Sequence, residues 1–454
     1  MKRNHEIVSL MKLALPVATA HLAHMSMQIV DTMFVGRVSA EAIGAVSVGN
    51  AVFAVFMVMG IGLSLGLDFI ISHAFGAGKQ DECNRSLIQS IYLCTFVSIP
   101  GIGVMYLASG LFEWFGIEPQ VAILAKGYLR ILSWSLWLVL MFNAFRQYLQ
   151  AMGVANAVMV IMVLANVLNI AANWVFVFGK LGFPALGVEG SGLATLLSRV
   201  FMLLAILAYV ARRDKKYSLG LLATSMEFSR TRMMRIVELG LPAMGQVMLE
   251  VGVFALATLL AGKLGSTVLA AHQIALHIAS LTFMVGMGVS AAAAVRIGSA
   301  LGHGNQDQAI KTGWTAVVCV ALLMGVFAIL MFALREPLMG LFTSDPLVIE
   351  AGKGLLILAA FFQLFDGTQV VGAGILRGIG ETRASMFANL VGHWFVGLPL
   401  GIGLCFGLGL GAQGLWIGLS TGLIFVSLAL MMVWRKKVRR MRATSFALEP
   451  RLSR

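Results

Sequence analysis

Long apolar stretches recur along the whole 454-residue chain, and they constrain its fold more than any other feature. Apolar side chains make up 59% of the sequence and charged ones 12%, whereas soluble domains carry about 25% charged residues. A helix needs about 20 apolar residues to cross a bilayer. The sequence therefore predicts an all-α, polytopic membrane protein. Twelve segments are long enough to span: about 8–34, 43–75, 86–110, 121–145, 156–178, 187–211, 234–261, 268–300, 312–334, 348–374, 385–407 and 411–434.

The basic residues are distributed unevenly between the two sets of loops. If the N-terminus is cytoplasmic, 25 Lys and Arg fall on the inner side and seven on the outer side, with mid-span Arg199 left uncounted. This asymmetry predicts that both termini face the cytoplasm. It also accounts for the net charge of +13 without nucleic acid, for which the chain has no recognition motif. The first apolar run resembles a retained span rather than a signal peptide.

The two halves of the chain are internal repeats. A shift of 226 positions aligns Leu13–Pro16 with Leu239–Pro242 and Gly60–Gly62 with Gly286–Gly288. Each repeat contains six spans, so both enter the membrane from the same side. We expect two six-helix lobes, related by a pseudo-two-fold axis along the membrane normal, around a central cavity. The predicted domains are an N-lobe (1–211), a cytoplasmic linker (212–235), a C-lobe (236–434) and a basic cytoplasmic tail (435–454).

Three acidic residues, Asp31, Glu250 and Asp366, stand alone inside apolar segments. A carboxylate at membrane depth costs about 2.5–3.5 kcal/mol on insertion scales, so each should have a partner. The cores of the segments that hold Glu250 and Asp366 contain no Lys or Arg. We therefore predict that these carboxylates bind an ion, with Na⁺ as the candidate metal, or a cationic substrate.

Neutral oxygen ligands accompany Asp31. Asn169 and Asn173 are one helical turn apart in the fifth span, and Thr195 lies in the sixth. Carboxylate, amide and hydroxyl oxygens suit a hard cation such as Na⁺. A proton could neutralise the same carboxylate, so the sequence leaves Na⁺ and H⁺ open.

Other polar residues in the spans carry weaker signals. Helical spacing places His21, His24, Gln28 and Asp31 on one face, so His24 and Gln28 are candidates for a proton relay. A hydrogen-bonded core histidine explains His24 equally well. In the second half, Gln246 lies one turn before Glu250 and is a candidate ligand. Asp68 is a candidate for a cytoplasmic gate or a structural contact, and three further histidines are expected to be structural: His272, His277 and His393.

Several short motifs occur in a fixed order along the chain and together resemble one family. They are Leu15-Pro16, Val30–Thr32, Gly76–Gly78, Leu168–Trp174, Ala270–Leu276, Phe365-Asp366 and Leu376–Gly378. The chain is similar over about residues 7–434 to the multidrug and toxic compound extrusion (MATE) family, in its NorM-type branch.

This resemblance implies a bacterial cytoplasmic-membrane antiporter that exports bulky, often cationic organic compounds in exchange for Na⁺ or H⁺. It implies no cofactor besides the coupling ion, and we expect a monomer surrounded by membrane lipid. It assigns cation binding to Asp31, Asn169, Asn173 and Thr195 in the first lobe, and to Glu250 and Asp366 in the second. Phe362, where some relatives have Tyr, and His277, where Asn is usual, depart from the family pattern.

Two other functions are compatible with a multi-span chain. A flippase for a lipid-linked precursor, related in fold, should line its cavity with basic residues, whereas the buried charges expected here are acidic. An intramembrane enzyme should contain an arrangement such as His-Glu-x-x-His or Gly-x-Ser-x-Gly, and the sequence contains neither. It also lacks a phosphate-binding loop for ATP, so we expect no enzymatic activity and no ATP drive.

Overall fold

The computed structural model describes residues 2–112, 114 and 116–452, and its regular secondary structure over those residues is helical. Twelve of its helical segments are long and apolar enough to cross a membrane, which confirms the predicted fold class. The helices are α1 (Lys2–Val35), α2 (Ala40–Ser64), α3 (Leu67–Gly76), α4 (Gln80–Ala108), α5 (Pro119–Ala151), α6 (Asn156–Phe178), α7 (Gly187–Tyr217), α8 (Arg230–Gly262), α9 (Ser266–Gly302), α10 (Gln306–Ala333), α11 (Arg335–Gly340), α12 (Pro346–Arg377), α13 (Arg383–Asn389), α14 (Leu398–Ile402) and α15 (Gly411–Leu452).

The second span is broken between α2 and α3, where the sequence predicts one continuous segment. The break contains Gly66, whose backbone lies against α8. A Cβ at Gly66 would come within 2.8 Å of the Ile236 carbonyl oxygen, so only glycine allows this close approach.

The eleventh span is also irregular. Its helical hydrogen bonding widens to π turns at Leu390–Gly397 and Gly403–Gly407, on either side of α14. Pro399 in α14 lacks the N–H that a regular helix would use, which favours such a distortion. Glycines of this span face glycines of α15, so the two backbones pack closely, as in small-residue contacts between membrane helices.

Contacts between Cα atoms group the chain into two compact units. Among the described residues, the C-unit comprises 2–18, Gly76–Gly78 and 241–452, and the N-unit comprises Thr19–Phe75 and the described part of Lys79–Gly240. Unit boundaries therefore fall inside α1 and about a third of the way along α8. They differ from the lobe boundaries predicted at 211 and 236 because those describe the sequence repeat rather than the packing.

In the C-unit, the first part of α1 is bound to α9 and α10 through Glu6. Its carboxylate accepts hydrogen bonds from Arg296 at 2.7 and 3.1 Å, from Gln308 at 2.5 Å and from Thr312 at 2.7 Å. Four donors from two helices thus hold one buried acid. Further along α1, a Cβ at Gly288 of α9 would lie 2.6 Å from the Ala14 carbonyl oxygen.

The N-unit contains the equivalent contact, but here the first helix of the repeat supplies the base and its neighbour supplies the acid. Arg232 at the start of α8 donates to the Glu82 carboxylate of α4 at 2.8 and 3.2 Å. Arg232 lies 226 positions after Glu6, and Gln308 lies 226 positions after Glu82. The repeat therefore preserves which positions meet, although the chemistry of each pair differs.

The non-helical segment between α7 and α8, residues 218–229, lies within the predicted linker at 212–235. The segment between them is bound to α4. The Asn84 amide donates to the Leu219 carbonyl oxygen at 2.9 Å, and the Gln89 amide donates to that of Glu227 at 2.8 Å. The Tyr92 hydroxyl donates to the Met226 carbonyl oxygen at 2.6 Å. These bonds fix the linker to the N-unit.

The glycine contact between α14 and α15 provides a test of the packing. A Cβ at Gly418 would collide with the Gly401 backbone and lie 2.5 Å from the Gly397 carbonyl oxygen. We expect Gly418→Ala to lower the free energy of unfolding by about 1–3 kcal/mol, the usual cost of overpacking. Thermal unfolding of the purified protein in detergent measures this.

The matched control is Gly403→Ala, because a Cβ at Gly403 meets nothing within 4 Å. It should unfold at the wild-type temperature or slightly above, since alanine is the better helix former. Equal losses in both variants would contradict the close glycine contact.

Candidate functional site

The four residues predicted to form the first cation site come together in the N-unit. Asp31 of α1 is 3% exposed. Its Oδ1 accepts hydrogen bonds from Asn169 Nδ2 at 3.1 Å and Asn173 Nδ2 at 2.7 Å, and its Oδ2 accepts one from Thr195 Oγ1 at 2.6 Å. Three donors therefore stabilise one buried carboxylate.

The amides of Asn169 and Asn173 are placed by helical spacing, since residues four apart share a face of α6. Asn173 also donates to the Asn169 carbonyl oxygen at 3.0 Å. The side-chain oxygens of both amides are buried without a hydrogen-bond partner among the described residues. A half-turn of each amide would exchange its oxygen and nitrogen, so that the donors to the carboxylate would become oxygen ligands beside it.

An arginine shares this site, contrary to expectation. Arg199 lies one turn after Thr195 on α7 and is 6% exposed. Its guanidinium carbon lies 4.4 Å from the centroid of the Phe53 ring, and it donates to the Ser135 hydroxyl. It also acts electrostatically on Asp31. The prediction that the buried charges are acidic is therefore wrong for Arg199, and Arg377 at the end of α12 in the C-unit is equally buried.

A small enclosed cavity of about 20 Å³ lies between these groups. Its lining includes Asp31, Arg199, His24 and Gln28. A space of about 10–15 Å³ holds one water molecule, so the cavity admits a water or a small ion but no organic substrate. His24 Nε2 has no hydrogen-bond partner among the described residues. The two relay candidates therefore adjoin Asp31, while their role in proton transfer stays a prediction.

Asp68 lies in different surroundings. It is 2% exposed, it occupies the first turn of α3, and Arg146 of α5 acts on it electrostatically. Arg146 donates to the Asn143 side-chain oxygen at 2.5 Å, and Asn143 donates to the Ser64 hydroxyl. A helix N-terminus and a nearby guanidinium both stabilise a carboxylate. These contacts favour the structural interpretation of Asp68.

The second pair of acids lies in the C-unit. Asp366 of α12 is 3% exposed, and its carboxylate interacts electrostatically with that of Glu250 on α8. Gln369, fully buried one turn after Asp366, lies close enough to Glu250 to stabilise the charge of its carboxylate. Its amide nitrogen also lies 3.4 Å from the Asn389 side-chain oxygen. Among the described residues no ion pair to either carboxylate is found.

Two further glutamines, Gln246 and Gln363, are buried on the helices that hold this pair of acids. Gln246 is 7% exposed, one turn before Glu250. Gln363 is fully buried, and its amide donates to the Thr282 hydroxyl and to the Met324 sulfur. Its side-chain oxygen is unpartnered in the described part of the chain. Gln363 thus supplies a buried acceptor on the helix that holds Asp366.

The three histidines expected to be structural differ in environment. His272 forms hydrogen bonds of 3.0 Å with both the Thr258 hydroxyl and the Trp416 indole nitrogen, in agreement with a structural role. His277 is exposed on α9. His393 is 1% exposed in the first π segment, has no side-chain hydrogen-bond partner among the described residues, and lies 6.5 Å from the Phe254 ring.

Phe362 replaces a possible hydroxyl ligand with aromatic packing. Its ring centroid lies 6.1 Å from that of Phe254 and 5.7 Å from that of Trp416, and its side chain is 2% exposed. The position therefore belongs to the buried core of the C-unit.

The sequence patterns did not select Arg199, Asn389 or His393 for these sites. Each is a polar residue within an apolar span, and Asn389 and His393 are one turn apart. Spacing on one helix cannot show which residues of other helices they meet, so this signal alone does not place them at a site.

Comparison with known proteins identifies the family. The MatE family profile matches residues 16–175 and 242–402, two ranges that begin 226 residues apart, as the internal repeat predicts. The "Probable multidrug resistance protein NorM" of Mesorhizobium japonicum is 34% identical, with 96% of this chain and 94% of that protein covered. The "Multidrug resistance protein NorM" of Vibrio vulnificus is 35% identical, with 92% of each covered. The "Multidrug resistance protein MdtK" of Yersinia pseudotuberculosis is 34% identical, with 98% of each covered.

Solved structures agree in fold. The crystal structure of the eukaryotic MATE transporter AtDTX14 superposes with a TM-score of 0.87 at 22% identity, covering 98% of this chain and 100% of that one. An outward-facing multidrug resistance MATE family transporter gives a TM-score of 0.85 at 22% identity, with 96% of each chain covered. Together, the repeated family match, the relatives above 30% identity and the twelve-span fold show that this chain belongs to the MatE family.

Proposed function

We propose that this protein is a secondary active multidrug efflux antiporter of the bacterial cytoplasmic membrane. It exports bulky, often cationic organic compounds in exchange for Na⁺ or H⁺ as a monomer with both termini in the cytoplasm. The names of the NorM and MdtK relatives and the excess of basic residues on one set of loops support this proposal. Because the MatE family consists of transporters, we propose no catalytic activity.

The observation that carries the proposal is the pair Glu250 and Asp366. Two carboxylates in a low-dielectric bundle repel each other, and neither has an ion-pair partner among the described residues. Protons, Na⁺ and a cationic drug would each supply the missing positive charge. Since they neutralise the same groups, their binding is competitive, and competition of this kind is what couples the entry of one to the exit of another.

The membrane potential provides enough free energy for this exchange. Moving one elementary charge inward is worth about 2.3 kcal/mol per 100 mV. Since each 1.4 kcal/mol is a factor of ten, one charge biases the exchange by a few tens-fold.

The N-unit site differs because it already contains a positive charge. A Na⁺ bound at Asp31 would lie beside the Arg199 guanidinium, and the two cations would repel each other. A proton adds no second point charge to the cavity once it is bonded to the carboxylate. We therefore propose that Na⁺ binds at Glu250 and Asp366, and that Asp31 exchanges only a proton, with His24 and Gln28 as its relay.

The flippase alternative gains one observation, since Arg199 is a buried basic residue. However, the cavity that it lines holds only about 20 Å³, and its guanidinium is engaged by Phe53 and Ser135. A pyrophosphate group does not fit there. The drug antiporter remains the function that the geometry supports best.

Removing one carboxylate of the C-unit pair tests the coupling. We expect Glu250→Gln and Asp366→Asn each to lower the initial rate of efflux of a cationic dye by at least about tenfold, the effect of 1.4 kcal/mol of lost cation binding. The measurement is dye efflux from energised cells, normalised to the amount of folded protein in the membrane.

Glu350→Gln is the matched control, because Glu350 is an exposed acid on α12, the helix that also holds Asp366. It should pump at the wild-type rate. Wild-type pumping in both Glu250→Gln and Asp366→Asn would remove the proposed mechanism.

Sodium binding distinguishes the two units. Equilibrium binding of ²²Na⁺ to the purified protein should show one class of site, which is lost in Glu250→Gln and kept in Asp31→Asn. Arg199→Gln removes the guanidinium charge and should create a second site at Asp31, whereas Arg199→Lys keeps the charge and should not. Loss of sodium binding in Asp31→Asn with Arg199 intact would contradict the assignment.

A further inference from the structure

A second and much larger cavity lies at the beginning of α10 in the C-unit. Its volume is about 750 Å³, within the range of about 300–1,000 Å³ that is typical of ligand pockets. The polar part of its lining includes His5, Arg296, Lys311 and Arg442. None of these residues takes part in the two sites described above.

The positive charge of this cavity is only partly balanced. Its acid, Glu6, already accepts four hydrogen bonds, two of them from Arg296. Lys311 and Arg442 form no ion pair with an acid among the described residues. Two basic side chains are thus free to bind an anion at the opening of the cavity.

The rest of the cavity is apolar and follows one helix face. Lys311, Trp314 and Val318 line it at spacings of three and four residues. At 1.5 Å per residue, Val318 lies about 10 Å further along α10 than Lys311. Lys311 is exposed, Trp314 is half-buried, and Val318 is 40% exposed. The lining therefore changes from basic through an indole ring to aliphatic along the direction that enters the membrane.

This order matches the layers of a bilayer leaflet. Tryptophan concentrates at the level of lipid headgroups, and basic pockets on the cytoplasmic side of helix bundles bind anionic headgroups. The loops at this end carry the excess of Lys and Arg, which places the cavity at the inner leaflet. A free phosphate would satisfy the basic residues but would leave the apolar lining uncovered.

We propose that this cavity binds an anionic phospholipid of the inner leaflet. The phosphodiester lies between Lys311 and Arg442, and an acyl chain follows Trp314 and Val318. Since Glu6 and Arg296 form one wall, the bound lipid also stabilises the contact that holds the start of α1 in the C-unit. A ligand that binds only the folded protein raises its unfolding temperature.

Lipid-dependent stability is the first test. The purified full-length protein is titrated in mixed micelles with phosphatidylglycerol, with phosphatidylcholine, or with inorganic phosphate. We expect only phosphatidylglycerol to raise the unfolding temperature. The double variant Lys311→Gln/Arg442→Gln should need at least fivefold more phosphatidylglycerol for half of the effect.

The matched control is Arg435→Gln/Lys436→Gln, which removes the same charge from α15 outside this cavity. It should respond to phosphatidylglycerol as the wild type does. If both double variants needed equally more phosphatidylglycerol, the lipid would be held by diffuse attraction to the surface charge. If inorganic phosphate raised the unfolding temperature as much as phosphatidylglycerol does, the cavity would be a site for free anions. Either result overturns the proposal, as does a wild-type response in Lys311→Gln/Arg442→Gln.

Fluorescence provides a readout that does not depend on stability. Lipids brominated on the acyl chain quench nearby indoles, and the difference between the wild type and Trp314→Phe isolates Trp314 among the eight tryptophans. Brominated phosphatidylglycerol should quench this difference signal more strongly than brominated phosphatidylcholine. Lys311→Gln/Arg442→Gln should abolish the preference, and equal quenching by both lipids in the wild type would contradict the proposal.

Discussion

Burial of carboxylates inside an apolar helix bundle is the constraint on which the functional part of this structure depends. In the N-unit, protein groups offset the cost of burying Asp31, since two amides and a hydroxyl donate to its carboxylate and Arg199 lines the same cavity. In the C-unit the stabilisation is only partial, because Gln369 stabilises the charge of Glu250 while the charges of Glu250 and Asp366 repel each other. The negative charge of the carboxylate is thus largely balanced by protein groups in the N-unit and only partly balanced in the C-unit.

This difference is imposed on a scaffold that is itself repeated. Positions 226 residues apart keep their helices and their neighbours, as the contacts of Glu6 and Arg232 illustrate. The acids do not follow the repeat, since Ala257 stands where Asp31 would be expected in the second half. Duplication of a six-span unit therefore accounts for the fold, and the candidate cation-binding acids are positions at which the two halves differ.

The twelve spans could be predicted because they depend on short-range patterns, whereas the grouping of Asn169, Asn173 and Thr195 with Asp31 was implied by the resemblance to the MATE family. Apolar length defines a span, and the spacing of Asn169 and Asn173 defines a common helix face. The location of Arg199 beside Asp31 could not be predicted, since it depends on how α1 and α7 pack. The break at Gly66 and the π turns around Pro399 depend on close approach to α8 and α15. Hydropathy does not contain that information.

The division of α1 between the two units has a consequence for biosynthesis. Residues 2–18 are translated well before Thr312, whose hydroxyl donates to the Glu6 carboxylate. A nascent chain that has completed its first six spans therefore still has one helix whose beginning lacks its final neighbours. The first half of the protein can insert into the bilayer early, but it can reach its mature packing only after most of the second half has been translated.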